Sequence, residues 1–133
     1  MPTILHIMNI LVVDDSRIMR NIVKNTVATH RSLKGSEFFE AGDGVGALDI
    51  LEHQSVDLLL LDWNMPRLSG IELVRELRSR ADFAKLPIIM ITSEAAKYNV
   101  IEAVKAGVSD YLVKPVSEKS LLEKIKRLFP DIQ

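Results

Sequence analysis

The sequence predicts an α/β protein in which helices cover both faces of a five-stranded parallel sheet, the arrangement called doubly wound. Along the 133 residues, short apolar runs rich in Val, Ile and Leu alternate with longer stretches of helical period. This alternation is typical of buried parallel strands joined by helices. A chain of this length is expected to form one domain, residues 1–133, that buries roughly two-thirds of its unfolded surface.

The first two strands and helices are predicted from residue type and capping signals. Strand one, residues 9–13, is mostly apolar, and helix one, residues 16–29, starts at Ser16, a residue type that caps helix N-termini. Its apolar residues recur at three- and four-residue steps and are expected to face the sheet: Ile18, Met19, Ile22, Val23 and Val27. Strand two is predicted at 36–41 and helix two at 44–53, although Gly46 disfavours that helix by about 1 kcal/mol relative to Ala.

The second half of the chain continues the alternation. The remaining strands are predicted at 56–61, 87–91 and 110–114, and the remaining helices at 70–80, 95–106 and 117–129. Gly107 directly follows the fourth helix, where glycine commonly ends a helix, and Ser117 suits the N-cap of the fifth. The sheet-facing residues of the fifth helix are predicted to be Leu121, Leu122, Ile125 and Leu128.

Bulk composition excludes several classes of protein. With 17 basic and 18 acidic residues, the chain has no electrostatic footprint for nucleic acid, and DNA binding is not expected. No cysteine is present, so redox chemistry at thiols is excluded. The sequence lacks a signal peptide pattern and any apolar run of the ~20 residues that a membrane span needs, and it therefore predicts a cytoplasmic protein without membrane insertion.

Polar residues follow four of the apolar strands at the point where each strand stops. They are Asp14 and Asp15, Asp62, Thr92 and Lys114. Because the carboxyl ends of parallel strands share one edge of the sheet, these side chains are expected to meet in one cleft. Three carboxylates, a hydroxyl and an amine suit a divalent cation and a phosphoryl group.

All of these residues except Asp62 also have an ordinary structural interpretation. Asp14 and Asp15 could form a solvated acidic turn near a helix N-terminus, Thr92 a strand-end cap and Lys114 a solvated amine. Their coincidence at four strand ends favours a shared site. Mg²⁺ suits that site better than Ca²⁺, since it binds one or two carboxylates together with waters and phosphate. The Asp62 carboxylate could act as the nucleophile that forms an aspartyl phosphate.

These motifs resemble the receiver domains of bacterial two-component response regulators over nearly the whole chain. The matching segments are residues 12–16, 61–66 with Gly70, 91–93, 106–111 and 113–115. Within that family, residues 63–66 and Tyr111 are most similar to the stand-alone chemotaxis regulators of the flagellar motor. The resemblance implies a flavodoxin-like three-layer sandwich with strand order 2-1-3-4-5, an order that comes from the family alone.

The resemblance also implies a role for each site residue. Asp62 is the phosphoacceptor, and Thr92 and Lys114 contact the phosphate. Mg²⁺, for which Mn²⁺ can substitute, is held by Asp14, Asp15, Asp62 and the backbone carbonyl of Asn64. Tyr111 turns inward when Thr92 moves towards the phosphate, and the Lys114–Pro115 peptide bond is cis.

The implied function is a phosphorylation-activated signalling switch and not an enzyme, apart from Mg²⁺-dependent self-phosphorylation and slow autodephosphorylation. A histidine kinase supplies the phosphate, and the output face comprises helix four, strand five and helix five, with the flagellar motor switch as one such target. The alternatives are a receiver cut from a larger regulator and a phosphorelay intermediate.

Two further alternatives share the predicted architecture. A small aspartyl-phosphate phosphohydrolase usually has its nucleophile after strand one, and a flavin-binding domain needs a Ser/Thr/Gly-rich loop that residues 15–19 lack. The sequence departs from the family pattern in a longer segment at Thr29–Ser36 and in an amino-terminal extension, Met1–Asn9.

Overall fold

The computed structural model describes residues 7–132, and the predicted strands and helices are all present in it. The strands are β1 (Asn9–Val13), β2 (Glu37–Ala41), β3 (Leu58–Leu61), β4 (Ile88–Thr92) and β5 (Asp110–Val113). The helices are α1 (Arg17–Ala28), α2 (Gly44–His53), α3 (Gly70–Arg78), α4 (Lys97–Ala106) and α5 (Glu118–Leu128). Short 3-10 helices at Arg31–Leu33 and Ala81–Phe83 precede β2 and β4.

The sheet is parallel throughout, and its order is β2-β1-β3-β4-β5, which confirms the predicted fold. Differences from the predicted boundaries are confined to the element ends. Thr92 is the last residue of β4 and not the first residue after it. The carboxyl ends of β1, β3, β4 and β5 therefore lie side by side along one edge.

Alternate residues of each central strand enter two separate cores, which gives the three layers. One core lies between the sheet and helices α1 and α5, and its strand residues include Ile10, Val12, Leu58, Leu60, Ile89 and Ile91. The other lies under α2, α3 and α4, and its strand residues include Leu11, Val13, Leu59, Leu61, Ile88 and Met90. Because both faces are covered, these strands are apolar without alternation.

The sheet-facing side of α1 is narrower than its apolar pattern predicts. Val23 and Val27 are buried, but Ile18 and Ile22 are 72% and 47% exposed. The prediction that these two isoleucines face the sheet is therefore wrong. The Lys24 ammonium forms an ion pair with Glu40 of β2, a contact that the apolar period of the helix does not predict.

Capping explains where the helices begin. Ser16 and Ser117 accept hydrogen bonds from Met19 N–H and Ser120 N–H, which confirms both predicted N-caps. In α2 the Asp43 side chain accepts the Gly46 N–H at 2.7 Å. Gly46 therefore lies in a capped first turn, where the cap offsets its low helix propensity.

Of the two predicted departures from the family pattern, one directly precedes β2 and the other includes the first residue of β1. Within Thr29–Ser36, the 3-10 turn buries Leu33 completely. Of the amino-terminal extension Met1–Asn9, residues 1–6 lie outside the described residues, and Asn9 begins β1. Among residues 7–132, no helix has the length and apolar character needed to cross a membrane.

Candidate functional site

The structure brings the strand-end residues together around the Lys114 amine. Lys114 Nζ lies 2.8 Å from Asp14 Oδ2 and 3.5 Å from Asp62 Oδ2, although Asp14 and Lys114 are 100 positions apart in the chain. Both aspartates are buried, with 5% and 7% of their surface exposed. The cleft therefore holds an amine between two desolvated carboxylates, an arrangement that needs charge neutralisation.

Asp15 completes an acidic cluster with the two buried aspartates. A carboxylate oxygen from each of Asp14, Asp15 and Asp62 lies within 4.8 Å of the others, and Asp15 is exposed to solvent. Oxygen donors of this kind fit Mg²⁺, which binds through few carboxylates and retains waters. The cluster is therefore open to solvent at Asp15.

The electrostatics of the cleft disfavour an ionised Asp62 in the absence of a cation. Burial raises the pKa of Asp62 above its usual value, and the Asp14 charge adds to that effect, while Lys114 and the Trp63 N–H act in the opposite direction. The contribution of Asp14 is the repulsion between two neighbouring carboxylates. For Lys114, burial would lower the pKa, but the hydrogen bond to Asp14 and the charge of Asp62 outweigh it and raise the pKa.

The Thr92 side chain acts on Asp62 directly through a hydrogen bond, and the loop that follows β4 joins Thr92 to Tyr111. Thr92 is completely buried, and its hydroxyl oxygen accepts the Glu94 N–H at 3.3 Å. The Tyr111 hydroxyl donates to the Glu94 carbonyl oxygen at 2.6 Å. The Tyr111 ring is half-buried against the core under α2, α3 and α4. A displacement of the loop would therefore change the surroundings of the ring directly.

The Lys114–Pro115 bond is cis, as the resemblance implied.

Sequence reasoning missed the two residues that connect the site to its surroundings. The Glu94 carboxylate accepts hydrogen bonds from Asn64 Nδ2 at 2.8 Å and from the buried Asn99 Nδ2 at 3.2 Å. Arg20 Nη1 donates to the Asp14 carbonyl oxygen at 2.6 Å. A single Glu or Arg has no local signal, because its partners come from other elements of the fold.

The loop between β3 and α3 returns close to the phosphoacceptor candidate. Gly70 N–H donates to the Trp63 carbonyl oxygen at 2.8 Å, and Trp63 N–H donates to Asp62 Oδ1 at 2.8 Å. A Cβ atom on Gly70 would overlap the Asp62 carbonyl oxygen. This position requires glycine for reasons of space.

The fold and this cleft define an α/β receiver module, and comparison with known proteins identifies its family. The family model described as the response regulator receiver domain matches residues 10–126. This chain belongs to that family. Its members are signalling proteins and not classical enzymes, which removes the support for a phosphohydrolase or a flavin-binding domain.

The chain is also similar in sequence to chemotaxis proteins of other bacteria. The chain is 45% identical to a chemotaxis protein CheY homolog of Campylobacter jejuni over 120 residues, which cover 90% of each protein. It is 43% identical to the chemotaxis protein CheY of Pseudomonas aeruginosa, with 92% of this chain and 96% of that protein covered.

Among solved structures, the chemotaxis response regulator CheY4 of Vibrio cholerae superposes with a TM-score of 0.82 at 31% identity, covering 92% of this chain and 99% of that one. The receiver domain of a sensor histidine kinase from P. aeruginosa also has a TM-score of 0.82, at 26% identity, covering 95% of this chain and all of that one. That structure has a magnesium ion coordinated in its active-site cleft. The protein described here is thus a receiver domain of the CheY type.

Proposed function

We propose that this protein is a phosphorylation-activated switch of a chemotaxis-type two-component system in the cytoplasm. In this proposal residues 1–133 act as one receiver domain, and Asp62 accepts phosphate from a histidine kinase. The observation that carries the proposal is the buried cleft in which Lys114 lies between Asp14 and Asp62. Receiver domains take phosphate from histidine kinases and act on downstream targets. The similarity to chemotaxis proteins at 43–45% identity supports the process.

The proposed transfer needs few protein groups, because phosphoryl transfer depends mainly on positioning and charge neutralisation. A carboxylate oxygen of Asp62 forms a bond to phosphorus while the bond from phosphorus to the donor's imidazole nitrogen breaks and the electron pair leaves with that nitrogen. Lys114 would pair with one phosphoryl oxygen, and the Thr92 hydroxyl would donate to another. Both groups already lie at the carboxyl edge of the sheet.

Asp14, Asp15 and Asp62, whose carboxylates lie together, would hold Mg²⁺ or Mn²⁺. The backbone carbonyl of Asn64 is the further ligand that the family resemblance implies. The fit is supported by the oxygen donors, and a cation beside Asp62 would favour the ionised carboxylate against the burial that raises its pKa. When bound, the cation would neutralise negative charge on the carboxylates and on the phosphoryl oxygens. The magnesium ion in the related kinase receiver gives independent support.

Magnesium binding can be measured through the single tryptophan of the chain. We expect Mg²⁺ at pH 7.5 to change Trp63 fluorescence with a dissociation constant in the roughly millimolar range, because Trp63 N–H is bonded to Asp62. Asp15→Asn should weaken this binding strongly, because it replaces a negatively charged carboxylate ligand with a neutral amide. Asp49→Asn, which changes a 77% exposed side chain on α2, is the matched control and should titrate as the native chain does. Equal titrations of all three proteins would contradict the site.

The proposed output face is the exposed surface of α4, β5 and α5. It displays large apolar side chains beside several lysines: Tyr98, Ile101, Val104 and Val113, with Lys97 and Lys124. Singly exposed apolar residues are common, but a cluster of them suits a protein partner such as the flagellar motor switch. Tyr111 connects this face to Thr92 through the Glu94 loop.

Amide exchange tests whether phosphate at the site alters this face. We expect beryllofluoride with Mg²⁺ to change protection across residues 92–116, because a phosphate mimic draws the Thr92 hydroxyl to itself and displaces the attached loop. Thr92→Ala should reduce this response and the gain in partner affinity, which is expected to be about 1–3 kcal/mol in the native chain. Thr29→Ala, at the exposed end of α1, should leave both unchanged. Protection changes restricted to the acidic cleft would contradict the switch while leaving phosphorylation possible.

A further inference from the structure

An ion pair joins the loop after Asp62 to the start of α2, and neither of its two residues belongs to the site described above. Arg67 Nε and Nη2 both donate to Asp43 Oδ2, at 2.9 Å and 2.6 Å. Arg67 lies in the β3–α3 loop, three residues after Asn64, and Asp43 lies directly before α2. The ion pair therefore joins the loop that carries a proposed metal ligand to a neighbouring helix.

Asp43 is held firmly enough to serve as an anchor. Its second oxygen, Oδ1, accepts the Gly46 N–H at 2.7 Å, and only 15% of its side chain is exposed. The Gly46 hydrogen bond and then the Arg67 guanidinium hold the pKa of Asp43 below its usual value. Both carboxylate oxygens are thus occupied, and the orientation of the charge that meets Arg67 is defined by the backbone of α2.

A backbone contact beside the ion pair closes the same junction. Gly44 N–H donates to the Leu68 carbonyl oxygen at 3.1 Å, and a Cβ atom on Gly44 would overlap that oxygen. The loop reaches this contact with two successive residues at positive φ, Arg67 at 58° and Leu68 at 139°. Side chains with a Cβ atom disfavour this region, so the loop needs tertiary contacts to keep this shape.

We infer that Asp43 and Arg67 are positioning residues for the phosphorylation site. The ion pair and the Gly44–Leu68 hydrogen bond hold one side of the loop, and the Asn64–Glu94 hydrogen bond holds the other. The Asn64 carbonyl is then kept in place between two fixed points. The inference rests on the proposed function, since it assigns these residues to the cation affinity of that site.

The test uses substitutions that remove charge and keep the local backbone. Asp43→Asn retains an N-cap acceptor, and Arg67→Asn tolerates positive φ. Each should weaken Mg²⁺ binding about two- to five-fold, the range expected for one partly exposed ion pair. The double variant should be no weaker than the weaker single variant, because both remove the same interaction. Arg67→Lys should recover part of the affinity.

Two measurements separate positioning from a general loss of stability. Dissociation constants are read from Trp63 fluorescence under conditions where every variant is fully folded, and initial phosphorylation rates with acetyl phosphate are measured at low and at saturating Mg²⁺. The rate deficit should disappear at saturation. Arg75→Gln breaks an ion pair with Glu102 in which the arginine is similarly exposed, away from the loop, and should behave as the native chain. Gly44→Ala should weaken Mg²⁺ binding without any change of charge.

Unchanged Mg²⁺ affinity in both single variants, or independent and multiplicative losses in the double variant, would overturn the inference and leave the proposed function intact. A native chain that neither responds to Mg²⁺ nor accepts phosphate would overturn the proposed function, and this inference with it. The two failures are therefore distinguishable in the same experiment.

Discussion

Replacing Asp62 with asparagine should abolish phosphorylation of this protein by acetyl phosphate and Mg²⁺. The native chain is expected to gain a single phosphate that is labile to alkali and to hydroxylamine, the behaviour of an acyl phosphate. An amide lacks the nucleophilic oxygen that attacks phosphorus, so the loss in Asp62→Asn should reach background. Intact-mass spectrometry before and after hydroxylamine treatment measures both properties.

The control for this substitution changes an acid of the same type outside the cleft. Asp82 lies in the 3-10 helix before β4, and Asp82→Asn should take phosphate as the native chain does. A phosphate that persists in Asp62→Asn, or that survives hydroxylamine in the native chain, would show that another residue is the acceptor.

The asparagine variant should also be at least as stable as the native chain, which excludes unfolding as the cause of the loss. Because burial raises the pKa of Asp62 in the folded state, folding favours the protonated acid. The resulting penalty is absent below the unfolded-state pKa and grows as the pH rises towards the folded-state value. At neutral pH without a cation, a neutral amide removes that penalty. Urea denaturation at pH 7 is the measurement.

Gly70→Ala should destabilise the fold by about 3 kcal/mol or more, at the upper end of what overpacking a rigid site costs. The added Cβ would overlap the Asp62 carbonyl oxygen and lie 2.9 Å from the carbonyl carbon of Asp62 and from Trp63 Cα. All of these are backbone atoms, so no side chain can rotate away. Urea denaturation at 25 °C measures the free energy of unfolding.

Gly46→Ala is the matched control, because it makes the same chemical change in a helix with room for the methyl group. The nearest atoms to its added Cβ would be Asp43 Oδ1 at 3.4 Å and Ala41 Cβ at 3.5 Å, both ordinary contacts. Higher helix propensity should then stabilise this variant by about 0.5–1 kcal/mol. A Gly70→Ala chain within about 1 kcal/mol of the native stability would show that the β3–α3 loop can relax.

The positions of the strands and of the five polar residues at four strand ends followed from the sequence because the signals are local. Four consecutive leucines, for example, can be buried only between two covered faces, and the polar residue that follows them must lie at the strand's end. The meeting of Asp14, Asp62 and Lys114 then follows from parallel topology, which brings all carboxyl ends to one edge. Their separations in the cleft confirm that meeting.

Local signals predicted less well where another element decides the outcome. The period of α1 could not distinguish Val23, which is buried, from Ile22, which is 47% exposed, because both lie on its apolar side. The ion pair of Lys24 with Glu40 links the helix to β2, and that contact spans 16 positions of the chain. Hydrophobic period predicts that a helix has a buried face but does not specify its width.

The amino-acid sequence by itself determined the fold class, the residues at the carboxyl edge of the sheet and the family to which they belong. Only the tertiary structure decided how that edge is held together. The bonds from Glu94 to Asn64 and from Arg67 to Asp43 join residues 30 and 24 positions apart, and Glu94, Arg67 and Asp43 lie outside the motifs that identify the family. Such contacts exist because packed helices and strands bring their loops together. Helix propensity, hydrophobic period and capping rules describe residues that are close in the sequence, so they cannot predict a contact between residues this far apart.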